Sequence, residues 1–210
     1  MSRSLLCLAL LLAACKEPEA PAITAPWKDD FQRVELGPDY KATGEGFKIV
    51  DGKLFVQGGH NHPLWLQKRI PRDAVIELDA SSASPDGDIK VEAWGDGSSF
   101  DPDQGRYTSS GYDFIMGGWK NYRSIIARMD EHADATNPAR MAPKVEPGRV
   151  YHWKIVRKGQ KVDWFVDDMT TPFLTYDDPQ PLAGPGHEFF AFDDWETPVS
   201  FDNLTIAPAQ

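Results

Sequence analysis

Cysteine is nearly absent. The 210 residues hold two, Cys7 and Cys15, both close to the N-terminus. The body after them can build no disulfide framework, no thiolate metal site and no cysteine nucleophile. It must be stabilised by a hydrophobic core, and about 180 residues are enough for one. Basic residues are also short: 22 Lys and Arg stand against 32 Asp and Glu, a formal net charge of −10. So acidic a chain carries no electrostatic footprint for nucleic acid. Long apolar runs are missing after the N-terminus, and no later segment keeps a helical period for three turns. DEHADATNPARM leaves room for one short helix at most, because Pro138 interrupts it.

What is present begins with MSRSLLCLALLLAACKEPEAPAITAP. Arg3 precedes a short apolar run and small residues follow it, the build of a secretory signal too short to span a bilayer. Leu12-Ala13-Ala14-Cys15 resembles the bacterial lipoprotein box, in which the cysteine is lipidated and becomes the mature first residue. The resemblance implies a signal peptide over 1–14 and an envelope protein anchored to the membrane through Cys15. Lys16 stands where Asp favours inner-membrane retention, so the expected address is the outer membrane. Residues 15–26 are rich in Pro and Ala. They read as an extended tether of roughly 3 Å per residue, with the domain following over 27–210.

That domain reads as strands. Val75, Glu77 and Asp79 alternate with Ile76, Leu78 and Ala80; Ile89, Val91 and Ala93 alternate with Lys90, Glu92 and Trp94. In RVYHWKIVRKGQKVDWFVDD, Tyr151, Trp153 and Ile155 share a face, Lys158-Gly159 turns the chain, and Val162, Trp164 and Val166 return. HEFFAFDDW and PVSFDNLTIAP add two more strands, and 17 Gly with 17 Pro punctuate the runs. Many short strands with turn signals predict an all-β antiparallel sandwich or barrel.

The order of these strands, above all YHWKIVRKGQKVDWFVDD and the closing VSFDNLTI, resembles the concanavalin A-like lectin/glucanase superfamily. Within it the chain is most similar to laminin G-like and 3-keto-disaccharide hydrolase-type domains. The resemblance covers roughly residues 27 to 207. It implies a two-sheet jelly-roll sandwich with a convex back and a concave front. It implies no single activity, since the superfamily holds lectins, hydrolases and structural modules.

Candidate sites follow. IELDASS matches half of the laminarinase-type E-x-D-x-x-E motif with Glu77 and Asp79. The second Glu is missing, and alternation alone predicts two carboxylates on a wet strand face. His60 and His62 in GGHNHP lack a third metal ligand nearby and read as loop hydrogen-bonders. Of seven tryptophans, Trp153 and Trp164 fall at core positions. Trp94, Trp119 and Trp195 lie among turns and polar residues, where an indole can offer its face to a sugar ring.

GYDFIMGGWKNYRSIIARMDEH reads as a hairpin turning at Lys120-Asn121-Tyr122. Its GYD resembles the GYE strand of the hydrolase-type domains, which implies that Asp113 faces the concave side with Glu92 as partner. Trp119, Asn121, Arg128 and His132 complete a candidate carbohydrate site with Trp94 and Trp195. FDNL resembles the superfamily's last strand, which implies a structural Ca²⁺ held by Asp202 with Asp29 or Asp30.

Three functions remain open. The first is a lipid-anchored envelope module that binds a glycan. The second is a carbohydrate-cleaving glycoside hydrolase using Glu92 and Asp113. The third is a passive envelope spacer. No complete catalytic motif is present, which favours the first.

Overall fold

A computed structural model describes residues 19–100 and 109–210. The signal segment 1–14, Cys15 and the first residues of the tether lie outside the described residues. Fifteen strands follow in chain order: β1 (Trp27–Asp29), β2 (Tyr40–Ala42), β3 (Lys48–Val50), β4 (Lys53–Val56), β5 (Leu64–Leu66), β6 (Ala74–Ser82), β7 (Ile89–Gly95), β8 (Tyr112–Gly117), β9 (Arg123–Arg128), β10 (Ala139–Arg140), β11 (Tyr151–Lys158), β12 (Lys161–Val166), β13 (Leu174–Asp177), β14 (Phe189–Asp193) and β15 (Val199–Pro208). They form two antiparallel sheets. The back sheet runs β13-β12-β11-β6-β15-β4-β3, with β1 also paired to β15; the front sheet runs β10-β9-β8-β7-β14-β5-β2.

The expected hairpins are there. β11 returns as β12 across Gly159 and Gln160, with Lys158 opposite Lys161 and Ile155 opposite Trp164. Tyr151, Trp153, Ile155, Val162 and Trp164 are all buried between the sheets. β6 alternates buried and half-buried along its whole length, as a strand with one dry face must.

β7 and β8 differ: every residue in both is buried. Their inner side chains, such as Val91 and Phe114, join the core, while Glu92, Asp113 and Ile115 are covered on the outer face. The concave side of the front sheet is therefore roofed at its centre. DEHADATNPARM forms turns and the short strand β10 rather than a helix.

Two expectations change. The folded body starts before Trp27: Ile23 is buried, its N–H donates to the Arg69 carbonyl at 2.8 Å, and Arg69 N–H donates to Pro21. Ile23 is apolar and finds the core, so the second half of the tether docks on the domain. Trp94 turns inward. Simple alternation puts it on the outer face with Lys90 and Glu92, but its φ is 57° and the β7–β14 register shifts beside it. This irregularity reverses the side chain. The indole packs edge-on to Tyr112 at 6.0 Å, under the Arg157 guanidinium, with its N–H on the Pro71 carbonyl.

Candidate functional site: a cavity at one end of the front sheet

Five loops meet where β7 begins and β8 ends. The β6–β7 turn brings Ser84, Asp86 and Asp88; the β4–β5 loop brings Gln57 and Asn61; the β8–β9 turn brings Trp119 and Lys120. The segment after β9 brings Glu131 and His132, and the β14–β15 loop brings Trp195 to Pro198. With Lys90 and Ile115 from the sheet they enclose a cavity of about 840 Å³.

The loops are tied to one another. Asp88 N–H donates to the Gly117 carbonyl, and the Thr197 hydroxyl donates to the Gly87 carbonyl at 2.8 Å. Gly87 lies so close to the Gly117 carbonyl that no side chain fits there. GGHNH clamps the Trp195 loop: His60 N–H bonds the Trp195 carbonyl, Asn61 N–H bonds the Asp194 carbonyl, and Gly59 N–H bonds the Asp194 carboxylate. The His60 ring meets the Trp195 indole edge-on at 5.0 Å. His62 caps Thr43 instead of joining His60 on a metal. His62 thus bonds a loop carbonyl through its ring, and His60 bonds through its backbone N–H.

Trp119 is presented by an unusual turn. Trp119, Lys120 and Asn121 are all left-handed, with φ of 54°, 58° and 58°. Each such residue costs about 1–3 kcal/mol and persists only where neighbours enforce it. Asn121 does the enforcing. Its amide donates to the Pro85 and Val145 carbonyls and accepts from Val145 N–H. Asn121, expected to bind sugar, is spent on holding the turn. One side of the Trp119 indole takes the Arg123 guanidinium at 4.1 Å, and His132 meets it edge-on at 6.0 Å.

At the cavity floor lies a buried cation. Lys90 Nζ donates to Asn61 Oδ1 at 2.6 Å and to Glu131 Oε2 at 2.8 Å, with Asp193 at 3.8 Å. Burial alone would depress this ammonium. Glu131, then Asp193, Asp88 and Asp113 outweigh burial and hold its pKa above the ordinary value. Burial, reinforced by Glu131 and Glu196 against Lys90, pushes the Asp88 carboxyl up. Asp88 accepts no side-chain hydrogen bond among the described residues.

Glu92 and Asp113 stand directly opposite each other in the β7–β8 register, as expected. Both are fully buried and neither borders the cavity. Glu92 Oε1 accepts from the Ser110 N–H and hydroxyl. Neither Asp113 oxygen has a hydrogen-bond partner among the described residues. Burial first, and the Glu92 charge second, raise its pKa well above the carboxylate range.

Arg128 is not with them. It pairs with Tyr112 on the inner side of the sheet and reaches the back layer, where it binds Asp178 at 2.9 Å and the Gln180 carbonyl. The alternation that points Asp113 outward points Arg128 the other way. Trp94 is removed by its burial. Trp119, His132 and Trp195 do line the cavity, Trp195 with 45% of its surface exposed.

The acids expected around a cation have other partners. Asp29 takes both Arg33 guanidinium nitrogens, at 2.5 and 2.8 Å, and the Tyr40 hydroxyl. Asp30 caps Gln32, and Asp202 accepts from Asn203 and faces Lys53 at 3.8 Å. Among the described residues no three His, Cys, Asp or Glu converge as metal ligands. Glu77 and Asp79 lie on the outer face of the back sheet, both beside His152, with Asp79 also bonded to Asn203.

Solved structures decide the fold. A carbohydrate-binding module, CBM66 of Bacillus subtilis, superposes with a TM-score of 0.58 over 82% of this chain and 98% of its own, at 11% identity. A prokaryotic β-1,3-1,4-glucanase (lichenase) from a mouse hindgut metagenome reaches 0.62 over 88% and 100%, at 9% identity. A family GH16 endo-β-1,3(4)-glucanase reaches 0.59 over 87% and 93%, at 13% identity. The chain is a concanavalin A-like jelly roll. No protein-family model and no curated protein matches the sequence. At these identities the likeness carries the jelly roll and leaves the site to be argued from its own residues.

Proposed function

We propose that this jelly roll is a glycan-binding lipoprotein of the bacterial outer membrane, anchored through Cys15. The observation that carries the binding is the cavity itself. It combines two indoles, Trp119 and Trp195, with Asn61, Asp88, Glu131 and Glu196. Sugars need this combination: a flat apolar surface for ring C–H groups and acceptors for hydroxyls. The fold supports the reading, since it also serves a carbohydrate-binding module and glucanases.

A glycan array followed by titration of the best ligand tests it. Trp119→Ala and Trp195→Ala should each weaken binding about 5- to 150-fold, the scale for losing ~1–3 kcal/mol of apolar contact. Unchanged affinity in both variants would remove the cavity as the binding site.

The hydrolase reading rests on one observation, two carboxyl residues directly opposite each other: Glu92, and Asp113 with its pKa raised by burial and by the Glu92 charge. Cleavage of a glycosidic bond uses such a division of roles. Full burial of both, away from the cavity, places the weight on binding. Turnover of an array-positive glycan that disappears in Asp113→Asn, with binding kept, would reverse this order. Silence on the array would favour a passive spacer.

A further inference from the structure

The charges around the cavity are unequal. Asp86, Asp88, Glu131 and Glu196 face Lys90, Lys120 and His132. Lys90 and Glu131 consume each other at 2.8 Å, and Asn61 takes another Lys90 proton. That leaves Asp86, Asp88 and Glu196 against the exposed Lys120, with His132 beside Glu131.

Asp88 is the odd member. It is half-buried, borders the cavity, and its carboxylate has no hydrogen-bond donor among the described residues. A carboxylate partly withdrawn from water without a donor gains from an incoming ammonium. The Trp119 and Trp195 walls suit the same ligand, because an indole face attracts a cation as well as a C–H surface.

We infer that the cavity selects an amino sugar with a free, protonated amine over N-acetylated or anionic sugars, the ammonium binding between Asp88 and Glu196. The inference rests on the glycan reading and adds the sign of the ligand. A uronate, sialate or sulfate ester would meet three acids with no free buried cation among the described residues to receive it. Like charges would then penalise it before any contact formed.

Calorimetric titration with β-1,4-linked glucosamine tetrasaccharide, its fully N-acetylated form and a tetragalacturonate tests this. The free-amine form should bind about tenfold or more tightly than the acetylated one, the gain expected from a charge-assisted hydrogen bond. Tetragalacturonate should not bind. Asp88→Asn and Glu196→Gln should each erase most of the difference in affinity between the free-amine and acetylated oligomers. Glu196 is exposed, so Glu196→Gln keeps the test valid should Asp88→Asn fold poorly.

Equal affinity for amine and acetylated forms, or a preference for tetragalacturonate, overturns the charge selection and leaves the glycan reading intact. An array hit on a neutral glycan with no response to the glucosamine oligomer has the same meaning. No response from any glycan overturns both.

Discussion

Two tryptophans show how much a single backbone angle decides. Trp94 and Trp195 both sit beside acids and turns in the sequence. Trp195 keeps its indole at the surface, while a φ of 57° swings the Trp94 ring into the core against Tyr112 and Arg157. Their truncations should differ in kind. Trp94→Ala should cost about 3–5 kcal/mol of stability, the usual toll of emptying a large buried aromatic, with ligand affinity of the remaining folded protein unchanged. Trp195→Ala should behave oppositely, with a near-normal urea midpoint and weakened glycan binding. A Trp94→Ala protein as stable as the parent would mean that the indole is not core. The pattern of Ile89 to Trp94 could not announce this, because a reversal within a strand leaves the residue types in perfect alternation. The same limit hid Asn121. Its role follows from Pro85 and Val145, which the sequence places 36 and 24 residues away.

At the scale of elements, the strands were legible and the loops were not. The alternation in β6 and the paired faces of β11 and β12 follow from one dry face per strand, and both read directly from residue types. The cavity instead joins five loops whose proximity is a product of sheet order. Lys90, Asn61, Asp88 and Glu131 therefore went unread as a group, although each lay in plain view. The clamp between GGHNH and the Trp195 loop has a measurable consequence. Burial first lifts the Asp194 carboxyl to about 6, against the Gly59 N–H bond that lowers it. A raised carboxyl favours the folded state below its unfolded pKa and loses that favour as pH climbs through its folded value. Asp113 and Asp193 are raised in the same direction by burial. The protein should therefore gain stability as pH falls from 7 to 5. Asp194 alone accounts for about 3 kcal/mol over the full interval between its unfolded and folded pKa values, roughly half of it between pH 7 and 5. Urea midpoints at the two pH values measure it, and Asp194→Asn should flatten part of the rise. A midpoint that falls on acidification, in parent and variant alike, would contradict the assignment.

For the whole molecule, the docked N-terminal segment changes the geometry of the proposed anchor. Glu19 pairs with Arg69 at 2.6 Å, Pro21 and Ile23 bond to Arg69, and Ile23 enters the core. Only residues 16–18 then separate a lipidated Cys15 from chain that is already fixed to the domain. Three residues span at most about 10 Å, so a lipid on Cys15 would hold the domain against the bilayer rather than on a long leash. Cys15→Ser should abolish incorporation of a palmitate analogue and shift the protein from the membrane to the soluble fraction. Equal labelling of parent and mutant would sink the anchor. The short span adds a second readout. Inserting a twelve-residue Gly/Ser linker after Lys16 should leave labelling and glycan affinity unchanged but speed release of the domain by external protease. If the linker instead changes nothing in protease access, the domain already stands clear of the membrane and the close-held geometry fails.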